Sequence, residues 1–283
     1  MKRITLSLLF IFFGCAIHAQ EAAEVVPSFK RKAIYSLTGS FTDLSNWNAG
    51  GENSSNFSAL LRENWKKNGS AWTQVHLLEG NYGIARQAGV YTKNADKLEW
   101  TTTVTGSPAN FSWNISAQAN VKTQFAPGYA AGDTSKTAIS SFGAPIYGQY
   151  SLGAGSTSFE HWEVFISPLS IKSTTVLDPV LSEKGSFGVL PGEQWRFEGG
   201  AKVTLNYAQE WDDQWSVVAK SDVFMSYFNP ISTTDISLDV IVLYKLKQFL
   251  TLSGQVQLVR DLDMVELWQR RSVAGIGLAY QIQ

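Results

Sequence analysis

Chemically versatile side chains are scarce in this chain of 283 residues, which has one cysteine and three histidines. The cysteine, Cys15, falls in an apolar run at positions 4–16, preceded by Lys2 and Arg3 and followed by Ile17-His18-Ala19. A short positive region, an apolar stretch and a small residue make a secretory leader, so residues 1–19 are expected to be cut away after Ala19. Phe12-Phe13-Gly14 ahead of Cys15 fits a lipid-attachment signal poorly. The remaining chain has no cysteine, which excludes disulfides, thiolate catalysis and cysteine metal sites.

Charge is scarce too. Asp, Glu, Lys and Arg are 17% of the chain, with a formal net charge of −1. Soluble domains carry about a quarter, and a nucleic-acid partner would call for a basic patch that is missing here. Beyond the leader no run of eighteen apolar residues occurs, so no transmembrane helix is expected. A chain that crosses a bilayer without helices must close into a β-barrel, because every backbone polar group needs a partner there.

Aromatic residues and period-two alternation are abundant. Aromatics are 13%, with ten Trp, ten Tyr and sixteen Phe. Trp195, Phe197, Gly199, Ala201, Val203, Leu205 and Tyr207 alternate with Arg196, Glu198, Gly200, Lys202, Thr204 and Asn206. Trp215, Val217, Ala219, Ser221, Val223, Met225 and Tyr227 alternate likewise with Ser216, Val218, Lys220, Asp222, Phe224 and Ser226. Successive strand side chains point to opposite faces, so each run has an apolar face and a largely polar one. Similar runs recur throughout and predict about twelve strands, longer than the five or six residues usual in soluble sheets. Pro168 marks the run at 162–172 as irregular or edge-like. Short turns at 66–69, 106–109, 211–214 and 247–248 alternate with longer connections at 43–53, 83–96, 123–142 and 174–193. Tight periplasmic turns and longer external loops are the habit of an antiparallel transmembrane β-barrel. The predicted fold is therefore all-β, with a periplasmic tail at 20–32 and one barrel at 33–283. A soluble periplasmic β-protein alternates as well and is the competing reading.

Aromatic pairs favour the membrane. Trp113 and Phe125, Trp195 and Tyr207, Trp215 and Tyr227, and Trp268 and Tyr280 are each twelve residues apart on one face. Twelve residues, tilted by about 40°, rise roughly 30 Å, enough for aromatic girdles to bracket a lipid-facing band. The opposite faces then line the lumen with Arg62, Glu99, Lys122, Arg196, Glu198, Lys202, Lys220, Asp222, Asp239, Lys245 and Arg271, joined by Lys247. About twelve strands lie between barrels filled by side chains and those with an aqueous channel. A narrow polar lumen of mixed charge follows, with weak charge selectivity at best.

Catalysis finds little support. A serine hydrolase needs a histidine base beside its nucleophile. His76 sits mid-strand on an ambiguous face and fits a hydrogen-bonded lumen residue better than a catalytic base, and His161, beside Glu160 and Trp162, reads as an interfacial residue. Asp261, Asp263 and Glu266 could hold a divalent cation through their carboxylates, although a solvated loop explains them as well. No enzyme activity, metal or cofactor is expected.

The stretch Asn46-Trp47-Asn48-Ala49-Gly50-Gly51-Glu52-Asn53, the segment Ile166-Ser167-Pro168-Leu169-Ser170 with Lys172, and Gly185-Ser186-Phe187-Gly188-Val189 with Pro191-Gly192 resemble a family of uncharacterised exported proteins of Bacteroidota, a domain of unknown function. The likeness continues through Glu198-Gly199-Gly200-Ala201, the run at 235–239 and Asp261-Leu262-Asp263. It implies an outer-membrane barrel and neither a reaction nor a substrate. The chain departs from many outer-membrane proteins in closing on Tyr280-Gln281-Ile282-Gln283 without a terminal Phe. The sequence thus points to the cell outer membrane, to contact with its lipid, and to a narrow channel. A non-conducting accessory barrel that binds an envelope protein through its long loops is the alternative.

Overall fold

The computed structural model describes residues 28–42, 53–69, 71–87, 89–106, 113–130, 137–212, 214–262 and 265–282. The expected leader at 1–19 lies outside them. The strands are β1 (Ser28–Thr42), β2 (Ser54–Asn68), β3 (Trp72–Gln87), β4 (Val90–Gly106), β5 (Asn114–Thr123), β6 (Gly128–Tyr129), β7 (Ala138–Ser140), β8 (Ile146–Phe159), β9 (Trp162–Thr175), β10 (Trp195–Trp211), β11 (Trp215–Ser226), β12 (Asp235–Lys245), β13 (Leu250–Asp261) and β14 (Val265–Ile282). All but β6 and β7 form one closed barrel of twelve strands, in the order β1-β14-β13-β12-β11-β10-β9-β8-β5-β4-β3-β2. Each neighbouring pair is antiparallel, and β1 closes on β14 through Ala33↔Ile282 to Gly39↔Ile276. Closure leaves the barrel wall without an edge, which is how such a sheet satisfies its backbone. Among the described residues no helix is long and apolar enough to cross a membrane.

The apolar rows face outward. Leu37, Phe41, Trp100, Trp195, Phe197, Ile276 and Leu278 are exposed, whereas Ser36, Glu79, Thr101, Lys202 and Thr204 are buried inside. A sandwich would bury those apolar rows between two sheets. The interior instead holds mostly polar side chains, with a small apolar group of Phe165, Phe224, Ile241 and Leu243.

One end of the barrel collects the connections at 69–71, 107–113, 160–161, 212–214 and 246–249, together with the start of β1 and the end of β14. The other end carries the two longest described connections beside the tight β3-β4 and β13-β14 reversals. Residues 124–145 contain the small β6-β7 hairpin, and residues 176–194 contain helix α1 (Pro179–Glu183). Pro179 opens the helix, and the Asp178 carboxylate accepts hydrogen bonds from the amides of Val180 and Leu181, satisfying donors that a helix start leaves free. Ala144, Val176, Leu181 and Val189, with Phe187 beside them, form an apolar cluster that ties the two loops into a folded cap.

Three expectations need correction. The connection expected over 83–96 is mostly strand: β3 runs to Gln87 and β4 starts at Val90, with Gln87↔Val90 paired. Gly89 makes the tight reversal possible, at φ +83°. The polar residues that suggested a loop here belong to a hairpin with its own ladder. The barrel also starts before residue 33, because β2 reaches Asn68 and gives Ser28 to Lys32 backbone partners. Third, the Pro168 stretch is a full strand between β8 and β10 and not an edge. Its irregularity is a bulge: the register shifts between Gly200 and Lys202 on one side and between Leu152 and Ala154 on the other. Proline has no N–H to give the ladder, so a bulge is where it fits. The Ser167 hydroxyl lies 2.8 Å from the carbonyl oxygens of both Leu152 and Leu169, with one proton to share between them. Gly153 is required opposite, since a Cβ there would lie 2.1 Å from the Ile166 carbonyl oxygen.

Candidate functional site in the barrel interior

Strand order decides which inward charges can meet. β4 and β12 lie on opposite sides of the twelve-strand ring, and β11 is next to β12. Lys97 and Glu99 project inward from β4, Lys220 and Asp222 from β11, and Asp239 from β12. Their side chains meet across the lumen. Lys97 Nζ lies 3.4 Å from Glu79, 3.5 Å from Glu99 and 3.5 Å from Asp239. Lys220 Nζ lies 2.8 Å from Glu99 and 3.4 Å from Asp222. Arg62 pairs with Glu79 at 2.5 Å, and Lys202 with Asp222 at 3.2 Å.

Amides complete the layer. Asn120 donates to Glu99 and to Thr101, 2.8 Å each. Lys202 donates to Gln118 on β5 at 2.9 Å. Gln255 and Gln257 donate to Asp239 at 2.9 and 2.7 Å, and Arg271 donates to both glutamine oxygens at 3.0 Å. Arg271 also reaches the Asn94 carbonyl at 2.9 Å. That carbonyl is presented by a bulge, where the β3-β4 register shifts between Gly83 and Ile84. Asn81 on β3 donates to Gln255 on β13 at 3.1 Å, a further cross-lumen bridge. Buried charges persist only when paired and hydrogen-bonded, and in this layer they partner one another across the diameter. The space between them is a cavity of about 160 Å³.

A second cluster sits nearer the capped end. Lys172 on β9 reaches Asp235 at 2.5 Å, Asp261 at 3.4 Å and Glu198 at 4.0 Å. Arg196 pairs with Glu198 at 2.9 Å. Asp261, read from sequence as part of a cation-binding or solvated loop, is thus buried at the end of β13 against a lysine. Asp263 lies outside the described residues, as does the Glu266 side chain. Among the described residues no group of three or more His, Cys, Asp and Glu is arranged to hold a metal ion.

Of the expected interior residues, Arg62, Glu99, Lys202, Lys220, Asp222, Asp239 and Arg271 come together in the central layer, and Arg196 and Glu198 join the Lys172 cluster. Lys122 lies over the Tyr147 ring, 5.6 Å from its centre. Lys245 is exposed at the end of β12, and Lys247 is exposed in the turn that follows. Glu79, Lys97, Lys172 and Asp235 were missed. Lys97 shares the parity of Glu99 and needed only an earlier start for β4. Glu79 is the direct partner of Arg62 in the β2-β3 register. Lys172 lies beyond the Pro168 bulge, which flips the parity of its strand.

The eight paired aromatics fall at the two ends of the wall. Trp195, Trp268, Tyr227 and Phe125 lie toward the capped end, and Tyr207, Trp215, Tyr280 and Trp113 toward the turn end. Ring contacts enrich the turn end: Trp162 with Tyr207, Trp215 with Tyr244, and Tyr280 with Tyr35 and Phe249. Alternation in the sequence leaves the face of His76 open. His76 shares the outward row of β3 with Trp72 and Tyr82, bonds Thr102 at 3.0 Å and packs against Trp100, because its parity follows the exposed residues. His161 occupies the β8-β9 turn with φ 62°, beside Glu160 and Tyr207.

Comparison with known proteins adds the following. Residues 40–129 match the family described as a protein of unknown function, DUF3078. That span takes in the stretch from Asn46 to Asn53 and ends before the other motifs of the resemblance. No curated protein matches the chain. Among solved structures, the translocator domain of the autotransporter NalP from Neisseria meningitidis shares 10% identity at a TM-score of 0.34, covering 89% of this chain and 88% of its own. An outer-membrane channel from Pseudomonas putida F1 shares 13% at 0.41, covering 92% and 96%. A porin shares 8% at 0.34, covering 90% and 100%.

Proposed function

We propose that the protein is an integral outer-membrane β-barrel whose lumen is held shut by ion pairs, so that it works as a membrane-embedded platform and not as an open diffusion pore. The outward apolar rows and the aromatics at both ends of the wall support the membrane setting, since exposed apolar surface on this scale has no place in water. The observation that carries the closed state is the reach of Lys97 and Lys220 from one side of the ring to acids on the other. Opening a path for solute means separating several buried pairs at once. The narrow channel suggested by the polar lumen rows therefore requires a second conformation. Planar-bilayer recording tests this: the native barrel is expected to give no steady conductance step, while a Glu99→Ser, Lys220→Ser double variant gives small ones. Regular steps from the native protein would reject the closed state. Membrane fractionation with heat-modifiable gel mobility tests the location.

The cap favours a role in binding an envelope partner. Phe142, Leu177, Val180 and Leu190 are exposed around the folded loops, where an apolar surface beyond the bilayer is available to another protein. Removing residues 179–190 should abolish any co-purifying complex and leave the barrel heat-modifiable; retention of the complex would reject the loops as the contact.

A further inference from the structure

The outer wall carries a feature that neither the lumen nor the cap uses. Where β14, β1, β2 and β3 run side by side, Ala59 and Gly80 leave the wall low between Tyr35, Leu37, Tyr82 and Tyr280. The result is an apolar groove of about 480 Å³ with Phe125 along its margin. Phe125 is held there by the Asp96 carboxylate, which accepts from the amides of Phe125 and Ala126 at 2.7 and 2.9 Å. The groove is thus a shaped depression with a fixed lip.

Its end toward the turns is polar. Arg31, on the same outward row as Tyr35, donates through Nε and a terminal nitrogen to Glu63, at 2.9 and 2.5 Å, and to the Tyr35 hydroxyl at 2.7 Å. The Tyr35 hydroxyl in turn donates to Glu63. A guanidinium has five N–H donors in a rigid fork, so Arg31 can hold Glu63 and an anion together. Lys67, outward opposite Phe29, is exposed beside it, whereas Lys30, Lys32 and Lys66 have the inward parity and are exposed at the barrel mouth. On the outer wall one glutamate thus stands with two cations, Arg31 and Lys67, at the rim where the barrel wall meets water.

We propose that this groove and rim form a binding site for an anionic glycerophospholipid of the leaflet at the turn end. One acyl chain lies along Gly80 and Ala59, and the phosphate meets Arg31 and Lys67. The inference rests on the membrane reading above. Charge complementarity selects the headgroup, since basic side chains near a bilayer surface each favour anionic lipid by about 1 kcal/mol, or roughly fivefold. The apolar floor selects a lipid over a free phosphate. Tyr35 joins the two parts, lining the groove with its ring and meeting Arg31 with its hydroxyl.

Native mass spectrometry of the full-length folded barrel, offered equal phosphatidylglycerol and phosphatidylethanolamine, tests the site. Phosphatidylglycerol is expected to be retained preferentially, and glycerol 3-phosphate not to displace it. Gly80→Leu fills the groove; a Cβ at that position meets Leu61 and Phe125 only at ordinary contact distances of 3.7–3.9 Å. It is expected to lose the retained lipid while folding normally. Lys67→Gln is expected to lower retention about fivefold. Equal retention of both lipids, displacement by glycerol 3-phosphate, or unchanged retention in Gly80→Leu would overturn the site. Heat-modifiable mobility is read on each sample. A chain that never shows it sinks the membrane reading, whereas one that shows it and holds both lipids equally sinks only the lipid site.

Discussion

The barrel pairs its charges in two settings. Inside, Glu99 serves Lys97, Lys220 and Asn120, which come from its own strand, from β11 and from β5. Outside, Glu63 serves Arg31 and Tyr35, which come from one adjacent strand at the rim. The interior group spans the lumen across its diameter, whereas the exterior group braces two neighbours that the ladder already joins. A charge held by several strands is a constraint on the whole ring. A charge held by one neighbour is a local brace, and at the rim Arg31 can reach water along its own stem.

That contrast fails or stands first at Glu99. Glu99→Gln removes the negative charge from between two lysines and leaves them buried with fewer partners. Breaking a buried pair costs about 3–5 kcal/mol, so the urea midpoint of the folded barrel in detergent should fall markedly. A drop no larger than that of a surface variant would show that the central layer is soft and solvated. The next test removes both members. Glu99→Gln with Lys220→Met replaces the pair by side chains that carry no charge to strand. The double variant should recover about 1 kcal/mol or more relative to the sum of the singles. Strict additivity would mean that the two residues do not act as a unit.

Glu63→Gln should cost less than either. Its loss frees Arg31, whose side chain is 42% exposed, to turn outward from the wall. Denaturation of this variant beside Glu99→Gln gives the comparison directly, and equal losses would erase the distinction between the two settings.

Much of the wall was legible in the sequence, and the reason is geometric. Alternation fixes a face, and a closed barrel keeps that face for the length of a strand. Trp195 to Tyr207 and Trp215 to Tyr227 could therefore be assigned directly. Legibility failed where parity breaks. In β9, Phe165 and Ser167 point inward before Pro168, and Ser170, Lys172 and Thr174 point inward after it. No period-two reading carries across that step, which is why Lys172 escaped. Beyond the apolar outer band the outward side chains need not be apolar. The polar residues of β3 and β4 near Gly89 thus resembled a loop. The partners of the central layer were not legible at all, because a single sequence shows which residues face inward and not which strands face each other.

Lys245 marks where the interior constraint should end. It shares the inward parity of Lys220 and Asp239, and parity alone assigned it to the lumen. In the structure β12 finishes at this residue and the side chain is exposed beside the turn. An exposed lysine near a rim has water as its alternative to any partner, so its charge is never stranded. Lys245→Gln should change stability by no more than about 0.5 kcal/mol, measured under the same conditions as Glu99→Gln. Depth along the strand, not parity, then decides which inward charges brace the ring. A loss approaching that of Glu99→Gln would extend the charge-bearing layer to the turn end and show that the interior is braced along its full height.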